Sequence, residues 1–254
     1  LYASDEIQYF AFLRSLWFDQ DLSFDNEYRY FHDRGIARAF GFEETFLELT
    51  TATGHRYNFG TIGSALLWAP FFGVADLSVR LMRTAGVDVA ADGFSRPYLR
   101  SVTYGSALYG FLAVLLSVRV ARQVTGARWR PQLAGLIVWL GTPLLFYMYV
   151  APGMAHACSA FAVAVFLNVW LDVRERWSAR GLAALGASGA LMVMVREQDL
   201  FFALGPALDF FWTLGADARS GRSNRTGERL IAALAAVATF AVCYLPQATA
   251  YLIL

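Results

Sequence analysis

Residues 154–173, MAHACSAFAVAVFLNVWLDV, form an almost uninterrupted apolar stretch whose only acidic residue is Asp172, near the end. An α-helix needs about 20 apolar residues to cross the hydrocarbon core of a bilayer. Because unpaired backbone groups are too costly in lipid, such a stretch predicts a helix and excludes an open sheet. The predicted fold class is therefore all-α, a polytopic transmembrane helical bundle with a charged, amphipathic interfacial loop at its N-terminal side.

Similar apolar stretches lie on both sides of this one. About seven follow residue 61, namely Ile62–Met82, Leu99–Ala121, Pro131–Val150, Met154–Val173, Leu182–Val195, Leu200–Leu214 and Leu230–Leu245. The fifth and sixth are short, which predicts either tilted helices or a broken pair joined at residues 196–199. The fifth is rich in glycine and alanine, which favours close packing between helices.

The composition agrees with a membrane protein. Hydrophobic residues make up 57% of the chain and charged residues 16%, against about 45–50% and about 25% in soluble domains. The net charge of +1 offers no electrostatic footprint for nucleic acid, so no such partner is expected. Cys158 and Cys243 both lie in apolar segments and are predicted to be buried thiols.

The first sixty residues differ from the rest, because they mix many charges with many aromatic rings. Such a segment is too charged for lipid and suits the membrane–water interface. We therefore divide the chain into residues 1–61, an extramembrane or juxtamembrane loop, and residues 62–254, the transmembrane bundle. Within the loop, Ser4 is a suitable N-cap for an amphipathic surface helix over Asp5–Phe18. A second short helix is predicted from about Phe42 to Thr50.

Arginine placement predicts a topology. Three loops are arginine-rich, with Arg119, Arg122, Arg128 and Arg130 in the first, Arg174, Arg176 and Arg180 in the second, and Arg219, Arg222, Arg225 and Arg229 in the third. The positive-inside rule places these loops in the cytoplasm and residues 151–153 and 196–199 outside. Counting back through two crossings would place residues 1–61 in the cytoplasm too. Ile62–Met82, interrupted by Pro70, Asp76 and Arg80, is the segment suspected of not crossing fully.

The adjacent carboxylates Asp5 and Glu6 are the sharpest chemical feature of the loop. Acids in the first turn of a helix can simply complement the helix dipole. The alternative is a catalytic pair at the membrane interface. The residues alone favour the dipole interpretation and leave the catalytic one open.

The wider arrangement resembles the C-type glycosyltransferase superfamily, polytopic enzymes that use lipid-phosphate-linked sugars. The similarity lies in Ser4-Asp5-Glu6-Ile7-Gln8-Tyr9-Phe10 and in the stretch 57–70, YNFGTIGSALLWAP, which enters the next apolar segment. The resemblance implies that Asp5 is the catalytic carboxylate, with Glu6 beside it. It also implies an inverting transfer from a polyprenyl-phosphate donor. Because the chain opens without Met and ends in an apolar run, we expect a fragment of a longer protein that is inactive alone.

Other residues are candidates for substrate or metal binding. His55, Arg56 and Tyr57 stand where many members of the superfamily carry Lys-Pro-Pro or a similar stretch, which leaves the acceptor and the sugar open. His156 and Arg196 lie at the predicted external ends of apolar segments, where a packed histidine and a neutralised turn are the alternatives to phosphate binding. Asp19 and Asp21 have a spacing that suits a divalent cation, although the residues favour a helix end followed by a polar turn.

These patterns predict an integral membrane glycosyltransferase of the bacterial inner or plasma membrane, with its active site facing outside. Its expected partners are a polyprenyl-phosphate-linked sugar and membrane lipid, and a divalent cation is the one cofactor that the residues suggest. A transporter or flippase of a lipid-linked substrate is the main alternative, and a non-catalytic membrane protein is another. A transporter would show internal repeats and charges at mid-membrane, whereas the charges here collect in the loops.

Overall fold

A computed structural model describes residues 1, 3–126 and 130–254, and within these ranges the protein is helical without a β-strand. Its helices are α1 (Ser4–Arg14), α2 (Asp25–Asp33), α3 (Gly63–Thr84), α4 (Arg96–Thr125), α5 (Pro131–Leu140), α6 (Leu144–Tyr149), α7 (His156–Val173), α8 (Ala179–Val195), α9 (Leu204–Arg219) and α10 (Ser223–Ile253). One π-helical turn, Ser15–Asp19, extends α1, a second occupies Glu44–Glu48, and a 3-10 helix covers Glu197–Ala203. The all-α prediction is confirmed.

Among the described residues, four helices are long and apolar enough to cross a membrane, which identifies the chain as an integral membrane protein. They are Gly63–Thr84, Arg96–Thr125, His156–Val173 and Asn224–Ile253. The apolar segment Pro131–Val150 is not one helix as predicted, because it is broken between α5 and α6 at Gly141–Pro143. Proline lacks an N–H and cannot continue the helix that precedes it. Arg128, counted in the first arginine cluster, lies outside the described residues.

The chain forms two compact units. The first contains residues 1–111, 143–158 and 247–254, and the second contains residues 112–142 and 159–246. The predicted boundary at residue 61 follows hydropathy and stays a prediction about where the membrane begins.

In the first unit, α1 lies at the centre of an aromatic cluster. Phe10 is fully buried and meets the rings of Phe31, Phe72 and Phe94 with centroid separations of 5.8, 6.1 and 6.3 Å. The helix predicted over Asp5–Phe18 is confirmed, but it is not amphipathic as predicted; its position at the membrane surface stays a prediction. Phe94 and α2 cover the faces that local sequence would leave exposed, so α1 is buried on nearly all sides.

Residues 1–61 do contain an amphipathic helix, but it is α2 rather than α1. In α2, Tyr28 and Phe31 are buried, whereas Arg29 and Asp33 are exposed. The short helix predicted near Phe42–Thr50 is present as the π-helical turn Glu44–Glu48.

The second unit depends on close helix contacts. A methyl group built on Gly186 of α8 would collide with the backbone of Ala236 in α10, which confirms the close packing expected from the small residues. Charges at the helix ends pair with one another. Arg119 lies 2.8 Å from Asp172, and Trp170 Nε1 donates to Asp209 at 3.0 Å.

Truncating Phe10 tests the aromatic cluster. Phe10→Ala should lower the free energy of unfolding by about 3–5 kcal/mol, the usual cost of removing a buried aromatic ring. Phe40→Ala is the matched control, because Phe40 is fully exposed in the same loop. Thermal unfolding of the purified protein in detergent measures both variants, and equal midpoints would contradict the central position of α1.

Candidate functional site

The two carboxylates at the start of α1 have different environments. Glu6 is 3% exposed, and its carboxylate accepts hydrogen bonds from the backbone N–H of Ala3 and of Gly153, both at 3.2 Å. Asp5 is exposed and has no hydrogen bond or ion pair among the described residues. The N-cap is Ala3 rather than the predicted Ser4, and Glu6 supplies the capping acceptor. Glu6 is therefore engaged in structure, and Asp5 is free to meet a ligand.

The loop that carries Gly153 is held firmly against this helix start. A methyl group on Gly153 would collide with the side chain of Leu1 and would lie 2.9 Å from Glu6 Oε1, so the loop approaches the helix start closely. On the other side, Ser106 Oγ donates to the carbonyl of Pro152 at 2.6 Å and accepts from Trp68 Nε1 at 2.9 Å. Residues from α1, α3, α4 and this loop thus meet in one place.

The two stretches that carry the family resemblance lie side by side. Gln8 of α1 accepts the N–H of Phe59 at 2.7 Å, and Asn58 Nδ2 donates to the Gln8 carbonyl at 3.1 Å. Asn58 Oδ1 also accepts the N–H of Gly60 at 2.8 Å. The entry to α3 is fixed further by Gln247 Oε1, which accepts the N–H of Ile62 at 2.8 Å. These polar side chains were not singled out from the sequence, because each pairs with a residue far away in the chain.

Of the three residues at 55–57, only His55 has a side chain without a strong partner among the described residues. Arg56 lies 2.7 Å from Asp25, and the guanidinium groups of Arg29 and Arg56 lower the pKa of that carboxyl. The Tyr57 ring is stacked beside that of Phe59, with centroids 5.7 Å apart. A substrate role for Arg56 would require exchange of its partner, whereas His55 is half-buried and close to the surface. Their role in binding stays a prediction.

His156 and Arg196 belong to different compact units. His156 begins α7 and stacks on Tyr147, with ring centroids 3.8 Å apart and planes inclined by 7°. Arg196 follows α8 and is half-buried near Asp199, which accepts a hydrogen bond from Ser159 at 2.6 Å. The expectation that both side chains open toward one cavity stays a prediction.

Asp19 and Asp21 do not converge on a common point. Asp19 forms an ion pair with Arg14 and accepts from Asn26 at 2.7 Å. Asp21 accepts from Ser15 Oγ at 2.7 Å. In the part of the chain that the structure describes, no group of three His, Cys, Asp or Glu side chains is placed to hold a metal ion. The two aspartates therefore act as turn-forming residues in this structure.

A buried ion pair next to these residues was missed by the sequence interpretation. Arg14 Nη1 lies 2.8 Å from Glu27 Oε1, and Glu27 is fully buried. Arg14 also donates to the carbonyl of Asp92 at 3.2 Å and lies 4.6 Å from the centre of the Phe94 ring. Burial raises the pKa of Glu27 to about 7, although the hydrogen bond from Arg14 acts in the opposite direction. No spacing in the sequence indicates this pair, because its members lie on separate helices.

Comparison with models of known protein families, with curated proteins and with solved structures gave no match. The function is therefore argued from the residues and their geometry.

The raised pKa of Glu27 predicts a pH-dependent stability. The folded protein holds this proton more tightly than the unfolded chain, whose carboxyl has an ordinary pKa of 4.5. Below pH 4.5 the bound proton on Glu27 contributes its full amount to the free energy of unfolding. This amount is lost as the pH rises to about 7, by at most about 1.4 kcal/mol per pH unit. Glu27→Gln is neutral throughout. Its melting temperature should equal that of the wild type near pH 5 and exceed it near pH 8.

The measurement is the difference between the two melting temperatures as a function of pH. A difference that stays constant from about pH 5 to about pH 8 would mean that Glu27 is ionised in the folded protein throughout that range.

Proposed function

We propose that the protein is a membrane glycosyltransferase that moves a sugar from a polyprenyl-phosphate donor to a lipid, glycan or protein acceptor. The observation that carries this proposal is the exposed Asp5, which has no partner among the described residues, beside the buried, hydrogen-bonded Glu6. An acid that served only the helix dipole would not need a rigid neighbourhood. Here Glu6, Gln8 and Gly153 fix the start of α1 against two other segments. This rigidity supports a positioned general base.

In the proposed reaction, an acceptor hydroxyl attacks the anomeric carbon of the sugar. Asp5 takes the hydroxyl proton, the new glycosidic C–O bond forms, and the bond from the anomeric carbon to the phosphate oxygen breaks. Polyprenyl phosphate leaves with the bonding electron pair, so its negative charge grows and needs a cationic group nearby. Phosphate binding by His156, which belongs to the same compact unit as Asp5, and by Arg196 stays a prediction.

Contacts of α1 support an external position for this site. Gln8 contacts the residues that precede α3, and Arg14 contacts Asp92, which follows it. The rise of α1 between Gln8 and Arg14 is about 9 Å, whereas the hydrocarbon core is about 30 Å thick. Both flanks of α3 therefore belong to one side, and we infer that α3 does not carry the chain across the membrane.

Helix α10 indicates on which side of the membrane residues 1–61 lie. Its beginning lies in the cluster Arg219–Arg229, which the positive-inside rule places in the cytoplasm. Gln247 near its other end bonds to Ile62, and Thr53 Oγ1 donates to the carbonyl of Leu254 at 3.2 Å. By the positive-inside rule, residues 1–61 are then external. This removes the conflict that arises when α3 is counted as a crossing.

Cysteine labelling tests this topology. In a background with Cys158→Ala and Cys243→Ala, the exposed positions Ala52, Asp88 and Ser220 are each replaced by cysteine. An impermeant maleimide added to intact cells should label the Ala52→Cys and Asp88→Cys proteins. The Ser220→Cys protein should react only after permeabilisation. Labelling of Ala52→Cys and Asp88→Cys from opposite sides would show that α3 crosses.

Asp5→Asn tests the reaction. The substitution keeps the size and polarity of the side chain but removes the base, so transfer should fall by about 10²–10⁴-fold with nearly unchanged folding. The assay follows loss of label from radioactive polyprenyl-phosphate sugars, supplied as a panel of hexoses and pentoses to the full-length protein in proteoliposomes.

Asp88→Asn is the matched control, because Asp88 is also exposed and has no partner among the described residues. Its transfer rate should equal that of the wild type. Glu6→Gln should instead lower the melting temperature. The amide has one acceptor oxygen, and its nitrogen only donates, so one of the two backbone N–H groups that Glu6 binds loses its acceptor. Normal transfer by the Asp5→Asn protein would rule out its role as base and favour the transporter alternative.

A further inference from the structure

An open groove of about 520 Å³ lies between α3 and the beginning of α4. Most of its lining is apolar, and its main members are Phe71, Val74 and Met82 of α3 together with Arg96, Arg100 and Tyr104 of α4. Val74 is 67% exposed and Tyr104 is 64% exposed, although both belong to helices of membrane-spanning composition. Such side chains are stable only against an apolar neighbour.

The two arginines of the groove lack partners. Among the described residues, neither Arg96 nor Arg100 forms an ion pair or a hydrogen bond. Arg80 nearby, by contrast, lies 2.9 Å from Asp76. Like charges four residues apart repel each other on a helix, and no acidic side chain from the described ranges lines the groove to offset them.

The remaining polar groups of the groove do not compensate for this charge. The hydroxyl of Ser78 donates to the carbonyl of Val74 at 2.7 Å, and that of Ser101 donates to the carbonyl of Tyr98 at 2.6 Å. The groove therefore combines two positively charged side chains with an apolar wall. That combination is complementary to a molecule with an anionic head and a hydrocarbon chain.

We propose that the groove holds an anionic phospholipid of the surrounding bilayer. Its phosphate binds between Arg96 and Arg100, whose guanidinium groups suit phosphate oxygens, and an acyl chain lies along Phe71, Val74 and Met82. This site is separate from the one proposed for sugar transfer, because none of the residues that line it belongs to the segment 1–61. It does not depend on the transferase proposal.

Native mass spectrometry of the full-length protein tests the site. Delipidated protein is mixed in separate samples with phosphatidylglycerol, phosphatidylcholine, polyprenyl phosphate and inorganic phosphate. Phosphatidylglycerol should stay bound at higher activation energy than phosphatidylcholine. The double variant Arg96→Gln/Arg100→Gln should retain it about 10-fold less well, since two charge-assisted hydrogen-bond groups are lost.

Arg83→Gln is the matched control, because Arg83 is exposed at the end of α3, has no partner in the described ranges and does not line the groove. It should bind phosphatidylglycerol like the wild type. Equal retention by the double variant would overturn the proposal. It would also be overturned if polyprenyl phosphate alone depended on the two arginines, or if inorganic phosphate displaced phosphatidylglycerol completely. The melting temperature without lipid checks that the double variant folds.

Discussion

The burial of α1 on nearly every side is the constraint on which the first unit depends. A polar group that is buried must find a partner, or folding loses several kcal/mol. Glu6, Gln8 and Arg14 all lie in this helix, and each is satisfied by a segment distant in the sequence. The hydrophobic cluster around Phe10 draws the segments together without specifying their register. The polar bonds specify it, because a shift by one residue would leave three buried groups unpaired.

The same constraint explains why two adjacent acids have different surroundings. Neighbouring residues on an α-helix point about 100° apart. With Glu6 turned toward Gly153, Asp5 is directed away from the packed side and toward the surface. The sequence shows only two acids in a first turn, a pattern that fits both a dipole effect and a catalytic pair. The three-dimensional surroundings distinguish the two carboxylates, since Glu6 is engaged by backbone N–H groups and Asp5 has no partner among the described residues.

The parts of the fold that were predictable are those that depend on local pattern. Long apolar stretches predict spanning helices because hydropathy acts over consecutive residues, and the helix over Asp5–Phe18 follows from local spacing. The break at Gly141–Pro143 also had a local signal, which was outweighed by the apolar residues around it. The burial of α1 had none, because Phe94 comes from another part of the chain. The pair of Arg14 and Glu27 was hidden because its members lie on separate helices.

The positions of the arginines indicate the orientation of some helices across the membrane but not of others. Helix α4 has arginines at both ends, Arg96 and Arg100 at its start and Arg119 and Arg122 near its end, so it cannot by itself indicate which end is cytoplasmic. At helix α10, the cluster Arg219–Arg229 lies at the beginning of the helix. If α10 sets the orientation, Arg96 and Arg100 lie on the external side, against the usual bias. Arg80 has a local counter-charge in Asp76. The two groove arginines have none in the described chain, and a bilayer phosphate is the counter-charge that we propose for them.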